Sequence, residues 1–144
     1  MKLPEYNIPD NFRYSKEHEW VKIEGGTVRV GITDYAAKAF HDVIYVSLPE
    51  SGVSFKQGDV AATAESMKAV SEVYCPISGT VIEVNKTLEK KPEKINQSPY
   101  VEGWLFRLKP TNLGNDMEKL LTSKEYMNLL SSLSSLNDKH NHHY

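Results

Sequence analysis

The 144-residue chain has one cysteine, no long apolar run and no large excess of charge of either sign. Because Cys75 stands alone, the chain can form no internal disulfide and no metal cluster held by several of its own cysteines. The formal net charge of −2 excludes the basic surplus that is typical of nucleic-acid-binding proteins. Apolar runs such as residues 43–46 are far too short to cross a membrane. We therefore expect neither nucleic acid nor a membrane among the partners.

The rest of the composition is that of an ordinary globular protein, with 40% apolar and 25% charged residues. The length fits one domain with a core of useful size. The first ten residues carry prolines and acids rather than an apolar signal region or an arginine-rich amphipathic stretch. Cys75 lies between Tyr74 and Pro76 in an apolar run, which predicts a buried, unreactive thiol.

Short strands separated by turns are predicted from residue 12 to residue 108. Val28, Val30 and Ile32 alternate with Arg29 and Gly31, which is the period of two of a half-buried strand. A glycine pair precedes this segment and can form the turn of a hairpin with the strand before it. Further strands are predicted over residues 19–23, 43–48 and 104–108.

Three helices are predicted, one of them short and within the strand region. Thr33 or Asp34 can cap this first helix, and its apolar face consists of Tyr35, Ala36, Ala39 and Phe40. The other two follow Pro110, with apolar faces formed by Leu113, Met117, Leu120 and Leu121 and by Tyr126, Leu129, Leu130 and Leu133. Thr122 and Glu125 form a capping-box pattern at the start of the last helix. Each of these two helices has one apolar stripe, so we expect both to pack on the sheets.

The segment with the clearest chemical meaning runs from residue 58 to residue 73. It predicts two strands around a polar tip, and Lys68 lies near that tip. A lysine in this position can project its amine into solvent, where an acylating enzyme can reach it. The turn Pro76-Ile77-Ser78-Gly79 then leads into the next strand. Taken alone, an exposed lysine in a hairpin is most often an ordinary solvated charge.

The surrounding motifs change that interpretation. The segment 65–70, Glu-Ser-Met-Lys-Ala-Val, followed by the turn at 76–79, resembles the modification hairpin of lipoyl and biotinyl carrier domains. Other segments resemble the glycine cleavage H-protein family in particular. These are residues 15–21 with His18-Glu19-Trp20, residues 31–36, residues 46–49, Ser98-Pro99-Tyr100 with Gly103-Trp104, and Lys124-Glu125-Tyr126. The resemblance runs in order from about residue 14 to residue 130.

The resemblance implies a mainly β, lipoyl-domain-like fold, a barrel-sandwich hybrid. It would have two antiparallel sheets, one short internal helix and two C-terminal helices. We expect an N-terminal arm at 1–13, the carrier sandwich at 14–110, the helices at 111–134 packed on it, and a flexible polar tail at 135–144.

The resemblance also implies that Lys68 bears lipoate in amide linkage, within a modification hairpin that includes Glu65, Ser66, Met67 and Ala69. In the family, the arm loaded with an aminomethyl group folds into a cleft, where carboxylates hold its amine. Those carboxylates correspond to Glu19 and Glu72 here. Glu65 and Glu72 also flank the lysine with negative charge, and we hypothesise that they help the lipoylating enzyme recognise the hairpin.

The implied function is that of a carrier rather than an enzyme. The arm would receive an aminomethyl group from the pyridoxal-phosphate-dependent glycine decarboxylase (P protein) and pass it to the tetrahydrofolate-dependent aminomethyltransferase (T protein). Dihydrolipoamide dehydrogenase (L protein) would then reoxidise the arm. Lipoylating enzymes are further expected partners, and the chain itself is expected to be a monomer. A eukaryotic source would imply the mitochondrial matrix and a bacterial source the cytoplasm, and the mitochondrial location is slightly favoured.

Four alternatives remain open at this point. A biotinyl carrier would favour methionine on both sides of its lysine, whereas Lys68 lies between Met67 and Ala69. A lipoyl domain of a dehydrogenase complex would be expected beside a long linker rich in proline and alanine, and the sequence shows no such segment. A lipoate relay protein, which passes lipoate to other acceptors, would use the same lysine. A free-standing enzyme is disfavoured because the sequence has no glycine-rich phosphate loop, nucleophile–base set or metal constellation.

Overall fold

The computed structural model describes the backbone of residues 2–3 and 6–141 and the side chains of residues 6–133. The strands are β1 (Lys2–Leu3), β2 (Tyr6–Asn7), β3 (Arg13–Tyr14), β4 (Glu19–Glu24), β5 (Thr27–Ile32), β6 (Tyr45–Ser47), β7 (Ser54–Phe55), β8 (Val60–Glu65), β9 (Val70–Tyr74), β10 (Gly79–Val84) and β11 (Phe106–Pro110). The helices are α1 (Asp34–Phe40), α2 (Thr87–Lys90), α3 (Lys94–Gln97), α4 (Leu113–Glu118) and α5 (Ser123–Asn141).

Two antiparallel sheets form the body of the molecule, as the sequence predicts. One has six strands in the order β3-β4-β5-β11-β10-β7, and the other has three in the order β6-β8-β9. A separate ribbon of β1 and β2 belongs to the N-terminal arm. In the three-stranded sheet β9 is an edge strand, paired with β8 on one side only.

The main core contains alternating side chains of the strands. Val28 and Val30 of β5 and Leu108 of β11 are fully buried, which confirms the predicted period of two in both strands. Val46 and Ala64 of the three-stranded sheet belong to the same buried cluster. Burial of these side chains is the main favourable contribution to stability, roughly 25 cal/mol per Å² of apolar surface. The core therefore fixes β8, from which the hairpin at residue 68 extends.

A second, aromatic cluster ties the last helix to the N-terminal strands. The rings of Tyr14 and Tyr126 stack at 4.7 Å between centroids, and Trp20 is fully buried beside them. The Trp20 indole N–H donates to the Pro99 carbonyl at 3.0 Å. A Cβ atom at Gly31 would lie 2.6 Å from the Trp20 ring, so only glycine fits opposite the indole.

The predicted helix starts have the expected caps. Thr33 Oγ1 accepts from the Ala36 N–H at 3.2 Å at the start of α1. At the start of α5, the Glu125 N–H donates to Thr122 Oγ1 at 3.2 Å, while the Thr122 N–H donates to Glu125 Oε1 at 2.8 Å. This reciprocal pair is the capping box that the sequence predicts. Cys75 is buried as expected, and burial raises the pKa of its thiol to about 12.

Two expectations about the helices need correction. The prediction of a single internal helix is wrong, because α2 and α3 also lie between β10 and β11. Each has four residues and one buried side chain, Leu88 or Ile95, so neither is long enough to show a helical period. The last helix continues to Asn141, past residue 134, where we expected it to end. Residues 142–144 lie outside the described residues, and the flexibility of the tail stays a prediction.

Within the described residues, none of the helices combines the length and the apolar character that a membrane-spanning helix needs.

Candidate functional site

Lys68 lies at the tip of the hairpin made by β8 and β9. The strands pair up to Glu65 and Val70, and the four residues between them form the turn. The Ser66 N–H donates to the Ala69 carbonyl at 2.9 Å, and the Lys68 N–H donates to Ser66 Oγ at 3.4 Å. The turn is held by these bonds while Lys68 itself is exposed. A reagent in solvent can therefore reach this side chain.

The other residues of the predicted modification hairpin surround the tip. Met67 is 84% exposed; Ala69 is also exposed, and Glu65 and Ser66 are half-buried. Glu65 is the last residue of β8 and lies directly opposite Tyr45 of β6. The tip is thus a small, mostly exposed surface with one carboxylate at its base.

A groove begins at the hairpin tip and follows α1. It consists of an outer cavity of about 380 Å³ and an inner cavity of about 230 Å³. Ala39 and Phe40 line both cavities, so the two adjoin along the helix. We call this the α1 groove. The remaining lining residues are His41, Asp42 and 66–69 in the outer cavity, and Glu17, His18, Glu19, Ile32, Tyr35, Ala36, Ala64, Ser71, Glu72 and Val73 in the inner cavity.

The groove changes in character along its length. Aliphatic and aromatic side chains form most of the walls, whereas the acidic residues Glu17, Glu19 and Glu72 are among those that line the inner cavity. Lys68 lies at the outer end. A chain extending from the Lys68 amine into the groove would therefore pass along apolar walls and end among carboxylates.

Glu19 is buried at the inner end and is not the solvated residue that a strand edge usually carries. It is 2% exposed. The Ser15 hydroxyl donates to one carboxylate oxygen, and the Tyr74 N–H donates to the other at 3.1 Å. Burial raises the pKa of Glu19 to about 7, and the two hydrogen bonds limit the rise. Such a carboxyl can change its charge near neutral pH when a cation arrives.

Glu72 occupies a different position from Glu19. Ala64 and Ser71 pair across the hairpin and both line the groove. The adjacent pair, Thr63 and Glu72, therefore points to the other face of the sheet. The Tyr74 hydroxyl donates to Glu72 Oε1 at 3.5 Å. Because β9 is an edge strand, the Glu72 carboxylate can reach the groove only around this free edge.

His18 is a groove residue that is absent from the predicted site. Its backbone has a φ of 74°, and its Nδ1 lies 2.8 Å from the Tyr126 hydroxyl. That hydroxyl lies 2.7 Å from Thr33 Oγ1, the cap of α1. Burial lowers the pKa of His18. No local pattern could reveal this contact, since Tyr126 is 108 residues away along the chain.

The region of the chain described by the structure contains no cluster of three or more His, Cys, Asp or Glu side chains that could hold a metal ion.

Comparison with known proteins identifies the family. The family model described as glycine cleavage H-protein matches residues 12–133. The chain belongs to the glycine cleavage H-protein family. It is 51% identical over 134 residues to a probable glycine cleavage system H protein of Pyrococcus furiosus, which covers 92% of this chain and 99% of the relative. It is 50% identical over 126 residues to a glycine cleavage system H protein of Thermus thermophilus. That match covers 88% of this chain and 98% of the relative.

A solved structure supports the same membership. The crystal structure of a glycine cleavage system H protein from Mycobacterium marinum superimposes with a TM-score of 0.79 at 38% identity, covering 86% of this chain and 99% of that one. As a member of the glycine cleavage H-protein family, the chain is a carrier of the glycine cleavage system and not an enzyme. The biotinyl and dehydrogenase-complex alternatives are set aside by this match.

These relatives are archaeal and bacterial. The slight preference for a mitochondrial matrix location therefore finds no support among them, since such cells have no mitochondria.

Proposed function

We propose that Lys68 carries lipoate in amide linkage and that the α1 groove receives the finished arm. The chain then transfers the aminomethyl group of glycine from glycine decarboxylase to aminomethyltransferase, and dihydrolipoamide dehydrogenase reoxidises the arm. The observation that carries this proposal is one continuous geometry: an exposed lysine at a hairpin tip, at the mouth of a groove that ends at a buried carboxyl.

The dimensions suit an arm of this kind. A lysine extended by lipoate has about eleven bonds from its Cα to the ring, and at roughly 1.25 Å per bond it reaches roughly 14 Å. The lipoyl group supplies a dithiolane whose sulfur can accept the aminomethyl group. The apolar walls along α1, with Phe40 and Ala39 in both cavities, match an alkyl chain and keep water from it.

The role that we propose for Glu19 is to bind the cationic amine carried by the arm. A cation beside a carboxylate in a partly desolvated groove gains considerably more than the same pair gains in water. The Ser15 hydroxyl and the Tyr74 N–H hold the Glu19 carboxyl group in place before the cation arrives. Binding therefore requires no rotation of the Glu19 side chain.

For Glu72 we propose a secondary role at the rim. Its side chain starts from the far face of the sheet, so it can contribute a long-range attraction to a cation but not the close, dry contact available at Glu19. Glu19 lies on β4 and Glu72 lies on β9, so the two carboxyl groups are positioned by different sheets.

Filling the groove should expose the carried group to water. Ala39 is exposed on α1 and lines both cavities of the groove, so Ala39→Phe blocks the passage at a small helix-propensity cost of a few tenths of a kcal/mol. We expect lipoylation at Lys68 to be unchanged. Hydrolysis of the loaded chain, measured as ammonia release without tetrahydrofolate, should rise roughly ten-fold, equivalent to losing about 1.4 kcal/mol of docking.

Ala39→Ser is the matched control, because it changes polarity at the same position with little change in volume. It should hydrolyse at close to the wild-type rate. If Ala39→Phe also leaves hydrolysis unchanged, the groove does not shelter the arm.

Reconstitution separates glycine cleavage from lipoate relay. The lipoylated chain, mixed with purified glycine decarboxylase, aminomethyltransferase and dihydrolipoamide dehydrogenase, should support glycine-dependent reduction of NAD. A relay protein would instead pass its lipoyl group to other acceptor chains, which intact-mass measurement detects. Transfer of lipoate without any glycine-dependent NADH would refute the proposed shuttle.

We further propose that the chain works as a monomer in the cytoplasm. The bacterial and archaeal sources of the relatives support this compartment.

A further inference from the structure

One face of the three-stranded sheet is uncovered close to the hairpin tip. Tyr45, Glu65 and Val70 lie side by side on β6, β8 and β9, and directly opposed residues of an antiparallel pair share a face. Tyr45 is 54% exposed and Val70 is 63% exposed. With Met67 at the tip, three large apolar side chains of the described chain lie in solvent around Glu65, and Glu72 follows Val70 on the same face.

Apart from Met67 at the tip, which also lines the outer cavity, this surface is separate from the α1 groove. Ala64 and Ser71, which precede Glu65 on β8 and follow Val70 on β9, line the groove. Residues alternate between faces along a strand, so Tyr45, Glu65 and Val70 point away from it. The surface therefore stays exposed whether or not an arm occupies the groove. Clustered exposed apolar side chains of this kind mark contact sites more often than single ones do.

The short length of a lysine determines which partner must touch this surface. From Cα to Nζ a lysine extends roughly 6 Å, whereas the finished arm extends roughly 14 Å. An enzyme that acylates the bare amine must bring its active site within that shorter distance of the turn. Its surface is then pressed against the residues beside Lys68. An enzyme that uses the finished arm can stay several ångströms further away.

We propose that Tyr45 and Val70, with Glu65 between them and Met67 at the tip, form the docking surface for the enzyme that acylates Lys68. The inference rests on the proposed attachment at Lys68. The partner would present an apolar contact with basic side chains opposite Glu65. In the reaction the Lys68 nitrogen attacks the carbonyl carbon of an activated lipoyl group, such as an acyl adenylate. The amide bond forms, the activating group leaves, and the amine loses a proton.

The test compares the double variant Tyr45→Thr/Val70→Thr with wild type. Threonine retains strand propensity, and neither position lines the α1 groove. The apo chain is incubated with a lipoate–protein ligase, lipoate and ATP, and lipoylation is followed by intact mass. We expect kcat/KM for acylation to fall roughly ten-fold or more, because truncated anchor residues commonly cost that much. The matched control is Val60→Thr, 43% exposed at the other end of the same hairpin, which should acylate like wild type.

A second measurement shows whether the effect is specific. The double variant, driven to full lipoylation by excess ligase, should be loaded by glycine decarboxylase within two-fold of wild type. If the double variant is acylated at the wild-type rate, this face is not the docking surface. The same conclusion follows if acylation and loading by glycine decarboxylase fall equally. It also follows if the wild-type chain is a dimer that the double variant dissociates. A wild-type chain that gains no lipoyl mass at Lys68 would refute the proposed function as well.

Discussion

Glu19→Gln is expected to raise the free energy of unfolding at pH 8 by about 3 kcal/mol relative to wild type and to change it little near pH 4.5. The reason is the burial of the Glu19 carboxyl, which raises its pKa to about 7 in the folded chain. In the unfolded chain its pKa returns to the ordinary value of 4.5. The folded chain therefore holds a proton that the unfolded chain has lost between these two values.

The sign follows from this difference. Where the folded state binds more protons than the unfolded state, stability falls as the pH rises. The contribution of Glu19 is thus complete below about pH 4.5 and is lost as the pH approaches 7. Glutamine carries no charge at any pH and can still accept a hydrogen bond from the Tyr74 N–H, so the variant lacks this slope.

Urea unfolding of both proteins between pH 4.5 and pH 8.5 provides the measurement, because all other titrating groups are shared and cancel in the comparison. Glu50→Gln, at an exposed position outside the α1 groove, controls for the loss of one carboxylate. Parallel stability curves for wild type and Glu19→Gln would show that the carboxyl is not desolvated in solution.

The same burial bears on the shuttle. A carboxyl that is protonated when the groove is empty bears no uncompensated charge, and a cation arriving beside it favours ionisation. Binding of a cationic arm in the α1 groove would then release a proton from Glu19. Glu19 is thus suited to the empty groove and to the occupied groove, since the Ser15 hydroxyl and the Tyr74 N–H contact it in either case.

The features that could be predicted from the sequence depend on local patterns. Alternation in β5 and β11 and the capping box of Thr122 and Glu125 involve residues within a few positions of one another, and the structure has them as predicted. The hairpin around Lys68 is equally local, since two strands and a four-residue turn lie in one short segment. The family resemblance extended this to the carrier function, which the comparisons show.

The features that could not be predicted depend on distant contacts or on very short elements. The burial of Glu19 requires Ser15, the N–H of Tyr74 on another sheet, and the cover of neighbouring strands. The link from His18 through Tyr126 to Thr33 joins three separate elements. The face on which Glu72 lies depends on the pairing register of β8 and β9, and one residue of slip would reverse it.

Lys68→Arg has the other large expected effect, a complete loss of modification. Arginine keeps the positive charge and a similar length, but its guanidinium is always protonated and is not a nucleophile for the activated acyl group. The turn bond between Ser66 and Ala69 involves the backbone alone, so the variant should fold like wild type. Lys56→Arg, at another exposed lysine in the turn before β8, is the matched control.

The most direct measurement is the intact mass of these three proteins after incubation with a lipoate–protein ligase, lipoate and ATP. The wild-type chain and Lys56→Arg should each gain the mass of one lipoyl group, and Lys68→Arg should gain none. A lipoyl mass on Lys68→Arg, or none on the wild-type chain, would contradict the assignment of the arm to this hairpin.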